Sequence, residues 1–148
     1  MFLGSFTVKV REKNRIAFPA KFREQTGDTL FITNWFEKSL LILSKKDWEK
    51  IIEDILEEGS FLVSEVRDLE RFIFGGTFEV ELDKEGRFVL PPALKEHIGL
   101  QKEAIFIGGA WYISLWDLTH YESYREINNL QIKDRATSVY KRIKELKS

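Results

Sequence analysis

Apolar and polar residues alternate near the N-terminus of the chain and predict a half-buried β-strand. Phe6, Val8 and Val10 are separated by Thr7 and Lys9, which is the two-residue period of a strand with one buried face. Because successive side chains of a strand point to opposite faces, the polar residues are expected on the solvent side.

A turn, a second short strand and a small helix are predicted to follow. The turn covers 11–14, and the second strand covers 15–18 and ends at Pro19, a residue that suits the first turn of a helix. The helix is predicted over 20–26, where Gly27 ends it.

The same pattern recurs 72 residues later, since 2–27 aligns with 74–99 without a gap. Identical residues stand at eight aligned positions: Phe2/Phe74, Gly4/Gly76, Phe6/Phe78, Val8/Val80, Arg15/Arg87, Pro19/Pro91, Glu24/Glu96 and Gly27/Gly99. Asn14 aligns with Gly86, and both residue types tolerate a positive φ. We therefore predict an internal duplication in which both turns adopt a positive φ at this position.

Two further strands complete each repeat. They are predicted over 29–33 and 40–43 in the first repeat and over 104–108 and 112–116 in the second, with 30–32 matching 105–107 and 41–43 matching 113–115. Four short strands and a small helix are too few to bury a core alone. The two repeats are therefore expected to interlock.

Residues of helical periodicity follow each repeat. Ser44 and Asp47 form a predicted N-cap, with apolar residues at 48, 51, 52, 55 and 56 before Gly59 ends the helix. Further helices are predicted from Ser64, from a cap at Asp117 and near 136–146.

The expected fold class is mixed α+β. We expect a first repeat over 4–47, connecting helices over 48–75, a second repeat over 76–119 and C-terminal helices over 120–148, all in one interlocked domain.

Composition narrows the functional classes. Of the 148 residues, 43% are hydrophobic, which is typical of a globular protein. The absence of Cys excludes a disulfide scaffold and a thiol nucleophile, and the presence of only two His disfavours a metal site. No apolar run is long enough to span a bilayer, and the N-terminus does not resemble a signal peptide. No nucleotide-binding or hydrolase motif occurs. We expect a cytoplasmic protein that is not an enzyme, with no catalytic, cofactor-binding or metal residues and no small-molecule substrate.

Charge is segregated along the chain, although the net charge is only −1. Residues 7–23 contain six basic residues and one acidic residue, a local charge of +5, whereas 45–71 contain five basic and nine acidic residues, a local charge of −4. Such a field can steer an anionic partner to one face. A solvated surface of mixed charge is the alternative.

The basic segment around the first turn is the candidate DNA-binding site. A two-stranded ribbon formed by the strands on either side of the turn fits the DNA major groove, where Arg contacts guanine and Lys reaches phosphates. The candidate residues are Thr7, Lys9, Arg11, Lys13, Asn14 and Arg15.

The second repeat carries the opposite charge around its turn. Glu81, Asp83 and Glu85 align with Lys9, Arg11 and Lys13. Arg87 keeps the residue type of Arg15, and either braces the turn by bonding Asp83 or touches DNA as a secondary contact. Asp83 and Gly86 are expected to shape the turn. The second repeat is therefore expected chiefly to build the fold and the subunit contacts.

These turns also resemble a known family. The segments Arg-Glu-Lys-Asn-Arg-Ile-Ala-Phe-Pro (11–19) and Asp-Lys-Glu-Gly-Arg-Phe-Val-Leu-Pro (83–91) are similar to the doubled Asp-x-x-Gly-Arg-apolar-x-apolar-Pro signature of the MraZ family, as are 1–4, 71–76 and 115–117. In the first repeat Arg11 replaces the Asp of this signature and Asn14 replaces the Gly, which makes the turn more basic.

The resemblance implies two AbrB/SpoVT-type swapped-hairpin units that form a double-split β-barrel with flanking helices. It also implies a ring-shaped homo-oligomer associated with the nucleoid. The implied function is transcriptional control, usually repression, of the division and cell-wall gene cluster through short direct repeats.

Our interpretation is a sequence-specific DNA-binding regulator that binds double-stranded DNA and needs several subunits for useful affinity. The alternative is a protein–protein interaction or scaffold module that uses the acidic helices of 45–71. Binding to random duplex DNA with a steep salt dependence distinguishes the two.

Overall fold

A computed structural model of the chain describes residues 1–58 and 62–148. This part contains eight β-strands, β1 (Ser5–Lys9), β2 (Arg15–Ala17), β3 (Thr29–Asn34), β4 (Leu40–Ser44), β5 (Phe78–Glu81), β6 (Arg87–Val89), β7 (Glu103–Gly108) and β8 (Ile113–Asp117). Its α-helices are α1 (Ala20–Thr26), α2 (Lys45–Glu58), α3 (Ser64–Phe74), α4 (Pro92–Ile98), α5 (Leu118–Asn129) and α6 (Ile132–Lys147). The predicted mixed α+β class is confirmed. The predicted helix end at Gly59 lies outside the described residues.

Each of the two sheets contains strands from both repeats. Six strands form an antiparallel sheet in the order β1-β7-β8-β4-β3-β5, and β2 pairs with β6 in a separate two-stranded sheet. Exchanging the two repeats turns the six-strand order into its own reverse, so the sheet has an approximate two-fold relation. Within the described residues both sheets are open, and β1 and β5 are the edges of the larger one.

The main core lies between the two sheets and draws on both repeats. Ile16, Phe18 and Phe22 of the first repeat pack with Phe88 and Phe106 of the second, and all five are buried. Phe18 contacts Phe106 edge to face, with ring centroids 5.5 Å apart. Burying a side chain of this size stabilises a fold by about 1.5–3 kcal/mol, so each repeat depends on the other for its core.

A second apolar cluster covers the other face of β3 and β4. Leu41 and Leu43 pack there against Trp48 of α2 and Ile73 of α3. The predicted N-cap of α2 is confirmed, because the backbone N–H of Asp47 donates to Ser44 Oγ at 3.2 Å.

The predicted match between the later strands of the repeats is wrong by one residue. Strand pairing places Phe6 opposite Phe106 and Phe78 opposite Ile32, so Ile32 corresponds to Phe106 and not to Ile107. The same registers make Ile42 equivalent to Leu115. A shift of one residue moves a side chain to the other face of a sheet.

Contacts divide the chain into two compact units, Met1–Leu118 and Thr119–Ser148. In the second unit, α6 exposes an apolar stripe in which Val139 is 54%, Tyr140 59% and Ile143 47% accessible. Among the described residues, no helix has both the length and the apolar character needed to cross a membrane. The predicted domain boundaries stay a prediction.

Candidate nucleic-acid interface

The ribbon at the candidate site is formed by one strand from each repeat. The expected pairing of β1 with β2 across their turn is wrong. Within the described residues a single isolated bridge joins Arg11 to Arg15, and β2 pairs with β6 instead. The reason is burial, because Ile16 of β2 and Phe88 of β6 lie opposite each other and both face the shared core.

The solvent face of this ribbon carries two arginines. Arg15 lies opposite Val89 and Ala17 lies opposite Arg87, while the residues between them point into the core. Opposite residues of an antiparallel pair share a face. Arg15 and Arg87 therefore occupy diagonal positions on one exposed surface.

An open groove of about 760 Å³ lies beside this surface. It is lined by Thr7, Val8, Lys9, Arg11, Glu12, Arg15, Ala17 and Arg87. The structure thus brings together Thr7, Lys9, Arg11 and Arg15, four of the six predicted DNA-binding residues, and adds Arg87 from the second repeat. Four basic side chains against one carboxylate make the groove attractive to an anionic ligand.

The first turn contains the other two predicted residues, Lys13 and Asn14. The predicted positive φ of Asn14 is confirmed at 58°, and Lys13 also lies in the left-handed region with a φ of 60°. The side-chain oxygen of Asn14 accepts a hydrogen bond from Lys95 Nζ at 2.8 Å, and its carbonyl accepts one from the N–H of Leu90 at 2.9 Å. The second repeat therefore holds the first turn in place.

The second turn is organised by Asp83. Its Oδ1 accepts hydrogen bonds from the N–H groups of Glu85 (2.9 Å) and Arg87 (3.0 Å). The bond from the N–H of Arg87, with that of Glu85 and the nearby guanidinium charge, holds the pKa of Asp83 below its ordinary value despite partial desolvation. Gly86 has a φ of 78°, as predicted.

The guanidinium of Arg87 faces this turn. Its Nη2 lies 2.8 Å from Glu85 Oε2, and its Nε lies 3.5 Å from Asp83 Oδ2. The second contact is an ion pair rather than a hydrogen bond, because the buried Nε has no acceptor in hydrogen-bond geometry. Arg87 thus braces the turn, one of the two alternatives that the sequence left open, and also lines the groove; its contact with DNA stays a prediction. The side chain of Arg15 forms no ion pair within the described residues.

Two supporting residues were missed from the sequence. Arg23 of α1 donates to Asp28 at 2.8 Å and reaches the carbonyl of Asp83 at 3.3 Å; the bond to Asp28 is the main cause of its raised pKa. Lys95 of α4, which bonds Asn14, stands 72 residues after Arg23. Each helix therefore supports the turn of the other repeat. The sequence signal that could have found them is the basic residue type shared by the aligned positions 23 and 95.

This arrangement defines a class of protein. The protein is an internally duplicated α+β chain in which strands of one repeat pair with strands of the other, and it exposes a basic ribbon. An exposed basic ribbon is typical of a nucleic-acid-binding module. Separately, the described residues contain no group of three or more His, Asp or Glu that could hold a metal ion.

Comparison with known proteins identifies the family. The family model described as "MraZ protein, putative antitoxin-like" matches residues 1–72 and again residues 73–142, so the duplication is part of the family pattern. The chain belongs to the MraZ family.

Curated relatives are similar over most of the chain. "Transcriptional regulator MraZ" of Alkaliphilus oremlandii is 35% identical over 94% of this chain and 96% of that protein. The protein of the same name from Oenococcus oeni is 36% identical over 84% and 86%. Their names describe a regulatory and non-enzymatic role, and membership of the family supports a DNA-binding transcription regulator.

Among the solved structures that are similar to this chain is "The solution structure of PHS018 from pyrococcus horikoshii". It is 17% identical, covers 78% of this chain and 88% of that chain, and has a TM-score of 0.32. A likeness of this size carries no argument about fold or function.

Proposed function

We propose that the protein is a sequence-specific DNA-binding regulator that acts through the β2–β6 ribbon and the turn beside it. The observation that carries the proposal is the groove in which Lys9, Arg11, Arg15 and Arg87 meet. A two-stranded antiparallel ribbon has the dimensions of the DNA major groove. An arginine on its exposed face can bond both acceptors of a guanine.

The candidate DNA-binding residues have two roles: some position the protein on the DNA backbone, and others read the bases. Lys9, Arg11 and Lys13 neutralise phosphates, and Thr7 and Asn14 add hydrogen bonds to the DNA backbone. Arg15 reads a base edge, because no acidic side chain within the described residues holds it by an ion pair. Arg87 is a secondary contact, since Asp83 and Glu85 already engage its guanidinium. Asp83 and Gly86 shape the second turn.

One ribbon is a small epitope, so affinity requires several subunits that bind repeated boxes together. We propose a ring-shaped homo-oligomer of double-split barrel subunits that binds short direct repeats. The exposed stripe of Val139, Tyr140 and Ile143 on α6 supports self-association, because apolar faces of this kind usually mark interfaces. In the cell, the protein would be cytoplasmic, associated with the nucleoid, and a repressor of the division and cell-wall gene cluster.

The test is binding to two duplexes of equal length. One carries the direct repeats upstream of the protein's own operon, and the other carries the same bases in scrambled order. We expect tighter binding to the repeats and a steep loss of affinity for both duplexes between about 50 and 200 mM salt. Light scattering of the free protein should give a mass of several subunits.

Equal affinity for both duplexes would show that the protein does not bind DNA sequence-specifically. Absence of DNA binding at low salt would favour the protein–protein module that uses the acidic segment 45–71. A monomeric mass at micromolar concentration would show that the protein does not form the proposed ring-shaped oligomer.

A further inference from the structure

The solvent face of the β2–β6 ribbon carries an apolar side chain next to Arg15. Val89 of β6 lies opposite Arg15 of β2, and Val89 is 49% exposed. Single exposed apolar residues are common on protein surfaces, so exposure alone assigns no role to this valine. Its position relative to Arg15 is more informative.

The hydrogen-bond pattern of the ribbon brings these two side chains close together. The N–H of Leu90 donates to the carbonyl of Asn14 at 2.9 Å, so the pair 14 and 90 is hydrogen-bonded. Hydrogen-bonded and non-hydrogen-bonded pairs alternate along an antiparallel ladder. Arg15 and Val89 therefore form a non-hydrogen-bonded pair, the type in which the side chains approach most closely, with Cα atoms about 4.5 Å apart.

The two ends of the ribbon are not equivalent. Val89 aligns with Ala17 of the first repeat, and Ala17 lies opposite Arg87. The guanidinium of Arg87 is engaged by two carboxylates of its own turn, whereas Arg15 forms no ion pair within the residues that the structure describes. The arginine without an ion pair and the larger apolar side chain thus stand at the same end of the ribbon, one from each repeat.

This end of the ribbon has the shape needed to contact base edges at two neighbouring positions. Arg15 is half-buried and lines the groove beside the ribbon, so its side chain lies against the protein surface and leaves room for the shorter Val89 to approach the DNA. The Cβ atoms of such a pair are about 4.5–5.5 Å apart, and successive bases of a DNA strand rise by about 3.4 Å. The two side chains therefore meet base pairs no more than about two steps apart.

We propose that Val89 contacts the 5-methyl group of a thymine within two base pairs of the guanine that Arg15 reads. The inference rests on the proposed function and adds a second base to it. The thymine methyl is the apolar group that base edges present in the major groove, and Val89 is an exposed apolar side chain beside the reading arginine. Recognition of a box then needs both repeats, since the first supplies the arginine and the second supplies the methyl contact.

The test removes the methyl group from the DNA and the apolar side chain from the protein. Deoxyuridine, which lacks only the 5-methyl group, replaces one thymine position at a time in every box of the duplex that carries the direct repeats upstream of the protein's own operon. Fluorescence anisotropy compares the wild type with Val89→Ala and with the conservative variant Val89→Ile. Single 7-deazaguanine substitutions locate the guanine, because their effect should disappear in Arg15→Ala.

At one thymine position, the wild type should bind the deoxyuridine duplex about fourfold more weakly per engaged box, the effect of one methyl-sized group removed from water. Val89→Ala should reduce this difference to less than about twofold, and Val89→Ile should keep it. Lys13→Ala is the control for a general loss of affinity, because it should weaken binding to both duplexes alike and leave their ratio unchanged. Circular dichroism checks that each variant is folded.

Equal wild-type affinity for the thymine and deoxyuridine duplexes at every position would overturn the proposal. So would a methyl effect that is as large in Val89→Ala as in the wild type, or a sensitive thymine more than two base pairs from the located guanine. The scrambled duplex separates this failure from failure of the proposed function. A wild type that prefers the repeats but ignores the methyl groups removes only the role of Val89, whereas a wild type with no preference removes both.

Discussion

In the first repeat, the chain turns between β1 and β2 through two left-handed residues, Lys13 and Asn14, whereas the second repeat turns between β5 and β6 through one, Gly86. The second turn is held by its own carboxylate, because Asp83 accepts two backbone N–H groups. Arg11, at the aligned position, cannot accept a hydrogen bond. The first turn relies instead on Lys95, which bonds Asn14 from the other repeat.

The two turns have different side chains and different roles, but they keep the same backbone hydrogen bond to the other repeat. The carbonyls of Asn14 and Gly86 each accept a hydrogen bond from the other repeat, from Leu90 and Phe18 respectively. With this link intact, the side chains are free to differ. The first turn carries positive charge that suits an anionic partner, and the second carries the carboxylate that stabilises it.

The largest effect is expected when the arginine of the first repeat is removed. Arg15→Ala should cost on the order of 1–3 kcal/mol of DNA binding per engaged subunit and reduce the preference for the cognate box. Arg87→Ala should act mainly on folding or assembly, because it leaves Asp83 and Glu85 without their cation. Fluorescence anisotropy with cognate and scrambled duplexes, together with melting and mass, separates these effects. If Arg87→Ala abolishes binding in an intact oligomer and Arg15→Ala does not, the assignment is reversed.

A smaller effect is expected from the backbone of the second turn. Gly86→Val should destabilise the fold by about 1–3 kcal/mol, since a β-branched residue is strained at positive φ. Its Cβ would also lie 3.0 Å from Arg23 Nη1. Asn14→Gly is the control and should be tolerated, because glycine adopts this conformation readily. Urea unfolding measures both, and equal stability of Gly86→Val and wild type would show that the turn is not constrained.

Lys13→Ala should have a smaller effect on DNA affinity than Arg15→Ala. Loss of a phosphate contact weakens binding to all sequences alike and lowers the salt slope by about one unit per engaged contact. Affinity for both duplexes, measured at several salt concentrations, tests this. A change in preference between the duplexes would instead assign Lys13 to base readout.

The smallest effect is expected from acid. The pKa of Asp83 is lower in the folded protein than in an unfolded chain, where the pKa of an aspartate is about 3.9. Its carboxylate therefore stabilises the fold fully above that pH and loses this contribution as the pH falls through the folded value. Asp83→Asn should lower the unfolding free energy at neutral pH, and the difference should shrink in acid. An equal difference at every pH would contradict the role of the charge.

Much of the local structure followed from the residue pattern. The predicted helix over 20–26 matches α1, and the alternation of Phe6, Val8 and Val10 gave the half-buried face of β1. These features depend on neighbouring residues alone. A proline before the helix, a glycine after it and a two-residue period are visible in one short segment.

Strand partners and register could not be predicted in the same way. Leu40, Leu41, Ile42 and Leu43 are all buried because β4 has a core on both faces, so their sequence contains no alternation that shows which residue faces which core. The charges around the first turn indicated a basic site, but nothing local showed that Arg87 would line the same groove. That depends on the pairing of β2 with β6.

The cross-paired strands also govern when the chain can fold during synthesis. β1 finds its partner only when β7 is made, and β2 only when β6 is made. Contacts between residues so distant in sequence slow folding, because a long loop must close first. On the ribosome, the first repeat therefore waits with its sheet edges and core residues uncovered until most of the second repeat has emerged. This is the interval in which a nascent chain is most exposed to aggregation and to chaperones.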